Sequence, residues 1–181
     1  MKYLLIIFLL FPLFTFADVF PPETHYQTCF TPGNNCTQLI VDQINQAKQS
    51  IEVQSYSFTS KPIALALVQA QKRGVKVQII FDKSQFECRR FSYASYFIRN
   101  NIPVWEDADL DIAHNKVMIF DRKTVETGSF NFTKAAQKYN AENVLIIQNP
   151  SLAQTYYKNW LSRQSAAKTI PSDSCPARYY Y

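Results

Sequence analysis

Histidine and glycine are scarce in this chain of 181 residues, at two and three copies against 14 phenylalanines and 11 tyrosines. Cysteine stands at four, with no Cys-x-x-Cys spacing and no His-x-x-x-His partner, which argues against a structural zinc site. No internal repeat is present, so a repeat array is excluded. The apolar run Tyr3 to Phe16 is shorter than the roughly 20 residues a membrane-spanning helix needs. No cysteine follows that run closely enough for lipid attachment, the first being Cys29. The acidic stretch Glu106-Asp107-Ala108-Asp109-Leu110-Asp111 lacks the marks of a calcium loop. Begun at Asp107, such a loop needs glycine where Ile112 stands and glutamate where Met118 stands. A solvated acidic loop at the rim of a site is expected there instead.

Residues 1–17 read as a secretory signal, with Lys2 as the positive region, Tyr3 to Phe16 as the apolar one and Thr15-Phe16-Ala17 as the cleavage pattern. An uncleaved anchor is the alternative. A periplasmic or secreted location is expected, and loss of the leader takes the formal charge from +5 to +4 through Lys2 alone. A basic balance, with pI near 9.0, suits a polyanionic partner such as nucleic acid or an acidic membrane surface. Four cysteines in an exported chain suit disulfides. Cys29 and Cys36 enclose the turn-rich Phe-Thr-Pro-Gly-Asn-Asn, so a Cys29–Cys36 pair is expected, with Cys88 left for Cys175.

Residues 18–24 form a linker, 25–164 one domain and 165–181 a tail. Helical spacing of Leu39, Ile40, Ile44 and Ala47 predicts a helix over 36–50, capped by Asn34 or Asn35. Alternation over Ile51 to Phe58 predicts a strand. Ser60 and Pro62 open a second helix, which Lys72-Arg73-Gly74 closes. Strands over 75–81, 102–105, 117–120, 124–127 and 143–148, with helices over 89–101 and 151–163, complete the pattern. His25 to Phe30 is a first strand, with His25 incidental. Alternating strands and helices imply an α/β class, an α/β/α sandwich around a mixed sheet. Phe86, Phe91, Tyr93 and Tyr96 near Arg89 and Arg90 suit either core packing or stacking on bases, and packing is expected for most. Arg122, Lys123, Lys134 and Lys138 flank the central motif and could follow a phosphate backbone.

That motif is Ala113-His114-Asn115-Lys116 through Asp121, followed by Thr127-Gly128-Ser129-Phe130-Asn131. His114 and Lys116 are two apart, so an extended chain turns both to one face. A lysine to neutralise an anion, Ser129 and Asn131 to hold oxygens, and a histidine for covalent or proton chemistry together suit a phosphate ester. The spacing His-x-Lys, four residues, Asp, six residues, Gly-Ser-x-Asn resembles the signature of the phospholipase D superfamily. Ser129 to Ala136 and Glu142-Asn143 resemble its small single-motif bacterial nucleases, and the likeness covers most of the chain between the leader and Gln164.

The resemblance implies a phospholipase D-like fold and a histidine that attacks phosphorus, with a second histidine protonating the departing oxygen and no cofactor or metal. His114, Lys116, Asp121 and Glu142 form the implied catalytic set, and Lys116, Ser129 and Asn131 bind the phosphate. Glu142 is the carboxylate expected to orient the histidine ring. Asp121 belongs to the signature, although its place suits support of the turn better than contact with substrate. With one His-x-Lys set per chain, the second histidine must come from another copy, so a homodimer with a shared site is expected. DNA or RNA is the expected substrate, with membrane lipid as the alternative. A nucleic-acid-binding or DNA-uptake component is the reading from another class.

Overall fold

The computed structural model describes residues 19–86 and 93–170. The leader and the Cys88–Cys175 pair lie outside the described residues. Among those described, no helix is long and apolar enough to cross a membrane.

Eight strands form one mixed sheet in the order β1-β7-β6-β5-β2-β3-β4-β8. They are β1 His25–Thr31, β2 Ser50–Ser55, β3 Lys76–Asp82, β4 Val104–Asp107, β5 Lys116–Phe120, β6 Thr124–Gly128, β7 Glu142–Gln148 and β8 Lys168–Thr169. The helices are α1 Cys36–Gln46, α2 Lys61–Lys72, α3 Ala94–Arg99, α4 Lys134–Lys138 and α5 Pro150–Ala166. β2, β3 and β4 are parallel, with α2 making the first crossover. The remaining neighbours are antiparallel.

Strand alternation sorts the core into two layers. Val53, Val77, Ile79, Met118, Val144 and Ile146 turn to the face covered by α1 and α2. Ile80, Val117, Ile119 and Val125 turn to the face under α5, where Trp160 is buried and its indole N–H donates to the Val53 carbonyl at 3.0 Å. The expected sandwich is therefore present. The Cys29–Cys36 disulfide joins β1 to the start of α1 across a Cα separation of 5.5 Å.

Asn35 caps α1 as expected, accepting from the Gln38 N–H at 3.1 Å. The helix stops at Gln46 rather than 50, because Ala47 turns into extended backbone (φ −58°, ψ 139°) and Ser50 joins β2. The β2 ladder ends at Ser55, and Phe58 makes only an isolated parallel bridge to Phe132. Of the helix expected over 89–101, residues 89–92 lie outside the described residues, and α3 runs over Ala94–Arg99, between Tyr93 and Asn100 as its caps. Three short elements escaped the sequence reading: a 3-10 turn over Lys83–Phe86, α4, opened by Thr133 accepting from the Ala136 N–H at 3.0 Å, and β8. Since α5 runs to Ala166 and β8 pairs with β4, the start of the expected tail belongs to the fold. Tyr93 and Phe97 pack edge-on around Phe58, a packing role for Tyr93 rather than a stacking one.

Candidate active site

The site is built where the C-terminal end of β2 meets the N-terminal end of β5. The segment leading into β5 is fixed on both sides of His114. The Ala113 N–H donates to the buried Asp82 carboxylate at 2.8 Å. The Asn115 amide donates to Gln54 at 3.0 Å, and the Asn115 carbonyl accepts from the Tyr56 N–H at 2.9 Å. His114 thus stands just ahead of the strand, exposed, on a clamped backbone. Its ring lies 4.5 Å from that of Tyr56, tilted by 54°.

Lys116, the first residue of β5, is 6 % exposed. Its ammonium donates to the His114 carbonyl at 2.6 Å and sits 5.0 Å from the centre of the Tyr56 ring. Burial lowers its pKa below the usual lysine value, and the Glu142 carboxylate opposes that shift. A partly desolvated ammonium beside an exposed imidazole interacts more strongly with an arriving anion than a solvated one does.

The second half of the motif arrives across the β5–β6 hairpin. Phe120 pairs with Thr124 and Val117 with Thr127, so the next step of the ladder sets Lys116 opposite Gly128. A side chain at Gly128 has no room, because an added Cβ would lie 2.2 Å from the Asn143 carbonyl oxygen. That same oxygen accepts from the Ser129 N–H at 3.2 Å and the Phe130 N–H at 3.3 Å. The Ser129 hydroxyl donates to Glu142 at 2.5 Å and accepts from the Asn143 backbone N–H at 3.0 Å. Asn131 follows, with its amide oxygen buried and without a hydrogen-bond partner among the described residues. The Phe132 carbonyl accepts from the Thr59 and Ser60 N–H groups at 2.9 Å each, tying this loop to the connection that leads into α2.

The arrangement has the pieces for phosphodiester chemistry: an exposed imidazole, a lysine beside it, and a hydroxyl and amide on an adjoining loop. Comparison with known proteins agrees. Residues 40–163 match the family model described as cardiolipin synthase, PLD-like domain. The chain belongs to the phospholipase D superfamily. It is 50 % identical over 139 residues to "Phospholipase D" of Rickettsia felis, covering 77 % of this chain and 69 % of that one. It is 31 % identical over 145 residues to "Mitochondrial cardiolipin hydrolase" of Mus musculus, covering 80 % and 65 %. The crystal structure of a phospholipase D family member, Nuc from Salmonella typhimurium, superposes with a TM-score of 0.77 at 38 % identity, covering 82 % of this chain and 99 % of that one. As a superfamily member it is a phosphodiesterase.

The structure also places the remaining residues that the sequence singled out. Asp121 lies at the opposite end of β5, in the hairpin turn. Its carboxylate accepts from the N–H groups of Lys48, Gln49 and Ser50 at 2.7–3.1 Å. It therefore holds the α1–β2 connection, the supporting place expected of it, at the end of β5 away from His114 and Lys116. Arg122 and Lys123 share that far end; Arg122 stacks on Tyr157 with 4.1 Å to the ring centre, leaving Lys134 and Lys138 as the motif-flanking cations on the site side. Asp107 is not a solvated rim residue, because it is buried on β4 and paired with Arg163. Asp109 and Asp111 do remain exposed.

Glu142 is in the site. Its two oxygens accept from Ser129 and from the Asn140 amide at 2.9 Å, and the ring contact of His114 is with Tyr56. Tyr56 and Asp82 were missed as site-building residues, and Asn143 was named only within the Glu142-Asn143 pair of the resemblance. Asp82 carried no motif, and Tyr56 lay within a stretch read only as a strand. No three His, Cys, Asp or Glu side chains converge as a metal-holding group among the described residues.

Proposed function

We propose that the chain is an exported, metal-independent endonuclease that hydrolyses DNA or RNA through a phosphohistidine, with its site completed by a second copy. The observation that carries this reading is the placement of its two histidines. His114 stands exposed at one end of β5. His25 lies at the other, lining a groove with Asp121, Lys123 and Thr124. The five-residue strand between them spans about 17 Å. One protomer thus brings one imidazole to the site, and a mechanism needing a nucleophile and an acid draws the other from a partner related by two-fold symmetry.

In the proposed reaction, His114 attacks phosphorus and the P–N bond forms as the P–O bond to the leaving group breaks. The imidazolium of the partner subunit's His114 supplies the proton to the departing oxygen. That imidazole, now neutral, takes a proton from water, whose oxygen displaces the histidine from phosphorus and restores both rings. Lys116 with Ser129 and Asn131 carries the charge on the phosphoryl oxygens.

Nucleic acid is favoured over lipid by what surrounds the site. Lys134 and Lys138 are exposed one turn apart on α4, directly after the Ser129–Asn131 loop. Phe30, which pairs with Asn143, is 56 % exposed, and Tyr139, at the end of α4, is 77 % exposed. Extra cations and free rings suit a polymer of phosphates and bases. The second reading, hydrolysis of a lipid diester, is favoured by the names of the Rickettsia and mouse relatives.

One assay separates them. Purified protein is incubated with single-stranded DNA, duplex DNA, RNA, and phosphatidylcholine or cardiolipin vesicles, each with and without EDTA. Nucleic-acid cleavage that survives EDTA and disappears in His114→Ala is expected. Cleavage confined to vesicles would install the second reading, and loss in chelator would refute the mechanism. Light scattering should find a dimer; an active monomer would refute the shared site.

A further inference from the structure

We propose that Tyr56 is a positioning residue for the reaction, its ring holding the His114 imidazole and the Lys116 ammonium in their working arrangement. The inference rests on His114 and Lys116 being the catalytic pair.

Tyr56 directly follows Ser55, the last residue of β2, and its N–H is bonded at 2.9 Å to the carbonyl of Asn115, the residue between the pair. Its backbone is therefore locked to the segment it serves. The half-buried ring then meets the imidazole at 4.5 Å and the ammonium at 5.0 Å. Among the described residues, no hydrogen bond holds the His114 ring, and none is made by the Tyr56 hydroxyl. Within one chain, what holds this exposed imidazole is the aromatic contact.

Tilted ring pairs and cation–π contacts are each attractive beyond the area they bury. They also have a functional consequence here. An exposed histidine with nothing against its ring would rotate freely about χ1 and χ2, and an in-line attack on phosphorus needs one orientation. The same π face suits an imidazolium, the form needed when the residue acts as acid. The role belongs to the ring rather than the hydroxyl, so phenylalanine should replace tyrosine and leucine should not.

The experiment uses the full-length protein and three variants, Tyr56→Phe, Tyr56→Leu and His114→Ala. The substrate is bis(p-nitrophenyl) phosphate, a small diester that reports the chemistry whether polymer or lipid is the natural substrate. Proton NMR of the imidazole rings runs in parallel, with His25 as the internal reference and His114→Ala assigning the resonances. Tyr56→Leu should lose about thirty-fold in kcat with KM changed by no more than about two-fold, and Tyr56→Phe should stay within about three-fold of the parent. The His114 ring protons should be displaced by the neighbouring ring current in the parent and in Tyr56→Phe, and should move to His25-like positions in Tyr56→Leu.

Undiminished kcat in Tyr56→Leu overturns the proposal, as does a Tyr56→Phe variant no better than the leucine one. Should the leucine variant fail to fold by circular dichroism, the parent and phenylalanine spectra decide: His114 protons free of any ring-current displacement would overturn it. An active His114→Ala enzyme would instead remove the catalytic pair on which the proposal stands.

Discussion

At Gly128 the chain passes so close to its neighbour that a single methyl group would overlap the Asn143 carbonyl oxygen at 2.2 Å. That oxygen and the Asn143 N–H bind Ser129 from two directions, so the glycine governs where the serine hydroxyl sits. Gly128→Ala should therefore lower stability by about 1–3 kcal/mol and kcat by about 100-fold or more, read by denaturant titration and steady-state kinetics. Glu126, two residues earlier, makes a different kind of prediction. It is wholly buried between its cross-strand partners Met118 and Ile146, both its carboxyl oxygens lack partners among the described residues, and desolvation raises its pKa well above the usual carboxylate value. Burial therefore favours its protonated form in the native state. Below the unfolded-state value of 4.5 both states hold the proton and no penalty exists; as pH rises past it, only the unfolded chain ionises and stability falls toward the raised native pKa. Glu126→Gln, a neutral isostere, should raise Tm at pH 7 by about 2–4 °C and make little difference near pH 4. An equal effect at both values would show that the carboxyl is not held neutral.

The β5–β6 hairpin is the element on which the motif is mounted. Its turn places Asp121 and Arg122 at positive φ, 52° and 53°. Asp121 accepts from Lys48, Gln49 and Ser50, so removing its carboxylate frees those N–H groups without disturbing the other end of the hairpin. Asp121→Ala should cost about 1–3 kcal/mol of stability while leaving the kcat of folded protein within a few-fold of the parent. A total loss of turnover in folded protein would restore Asp121 to the catalytic set. This is also where the sequence could be read only in part. The strand, the turn and the returning strand were legible, because a short β-branched run bounded by charged turn residues has few other solutions. The role of Asp121 was not decided by spacing, since its partners at 48–50 lie far back in the sequence. Similarly, α4 spans only Lys134–Lys138, too short for helical periodicity to register, and β8 has two residues whose pairing with β4 depends on where α5 delivers the chain. Tyr56 sat inside an alternating strand pattern that gave no hint of its contact with His114.

Across the whole molecule, the two ends of the sheet are unequal. One carries His114, Lys116, Ser129 and Glu142, with Lys134 and Lys138 beside them; the other carries the Asp121 turn, His25 and the stacked Arg122. On the nuclease reading, the α4 lysines follow the backbone of a bound strand away from the scissile bond. Replacing both with alanine should weaken binding of a single-stranded oligonucleotide bearing one uncleavable linkage, and should lower the slope of log K against log salt by roughly 1.4. An unchanged slope would place the polymer elsewhere on the surface.

The ladder that sets Lys116 against Gly128 gives the intervening gap a mechanical meaning. The residues from one to the other act as a ruler folded at its middle, and only their number brings the two marks side by side. Adding one residue to either leg would send the ammonium or the serine loop to the wrong side of the sheet, whereas side chains along the ruler can vary if they still fill the core. The fixed interval in the signature is thus a length requirement as much as a chemical one.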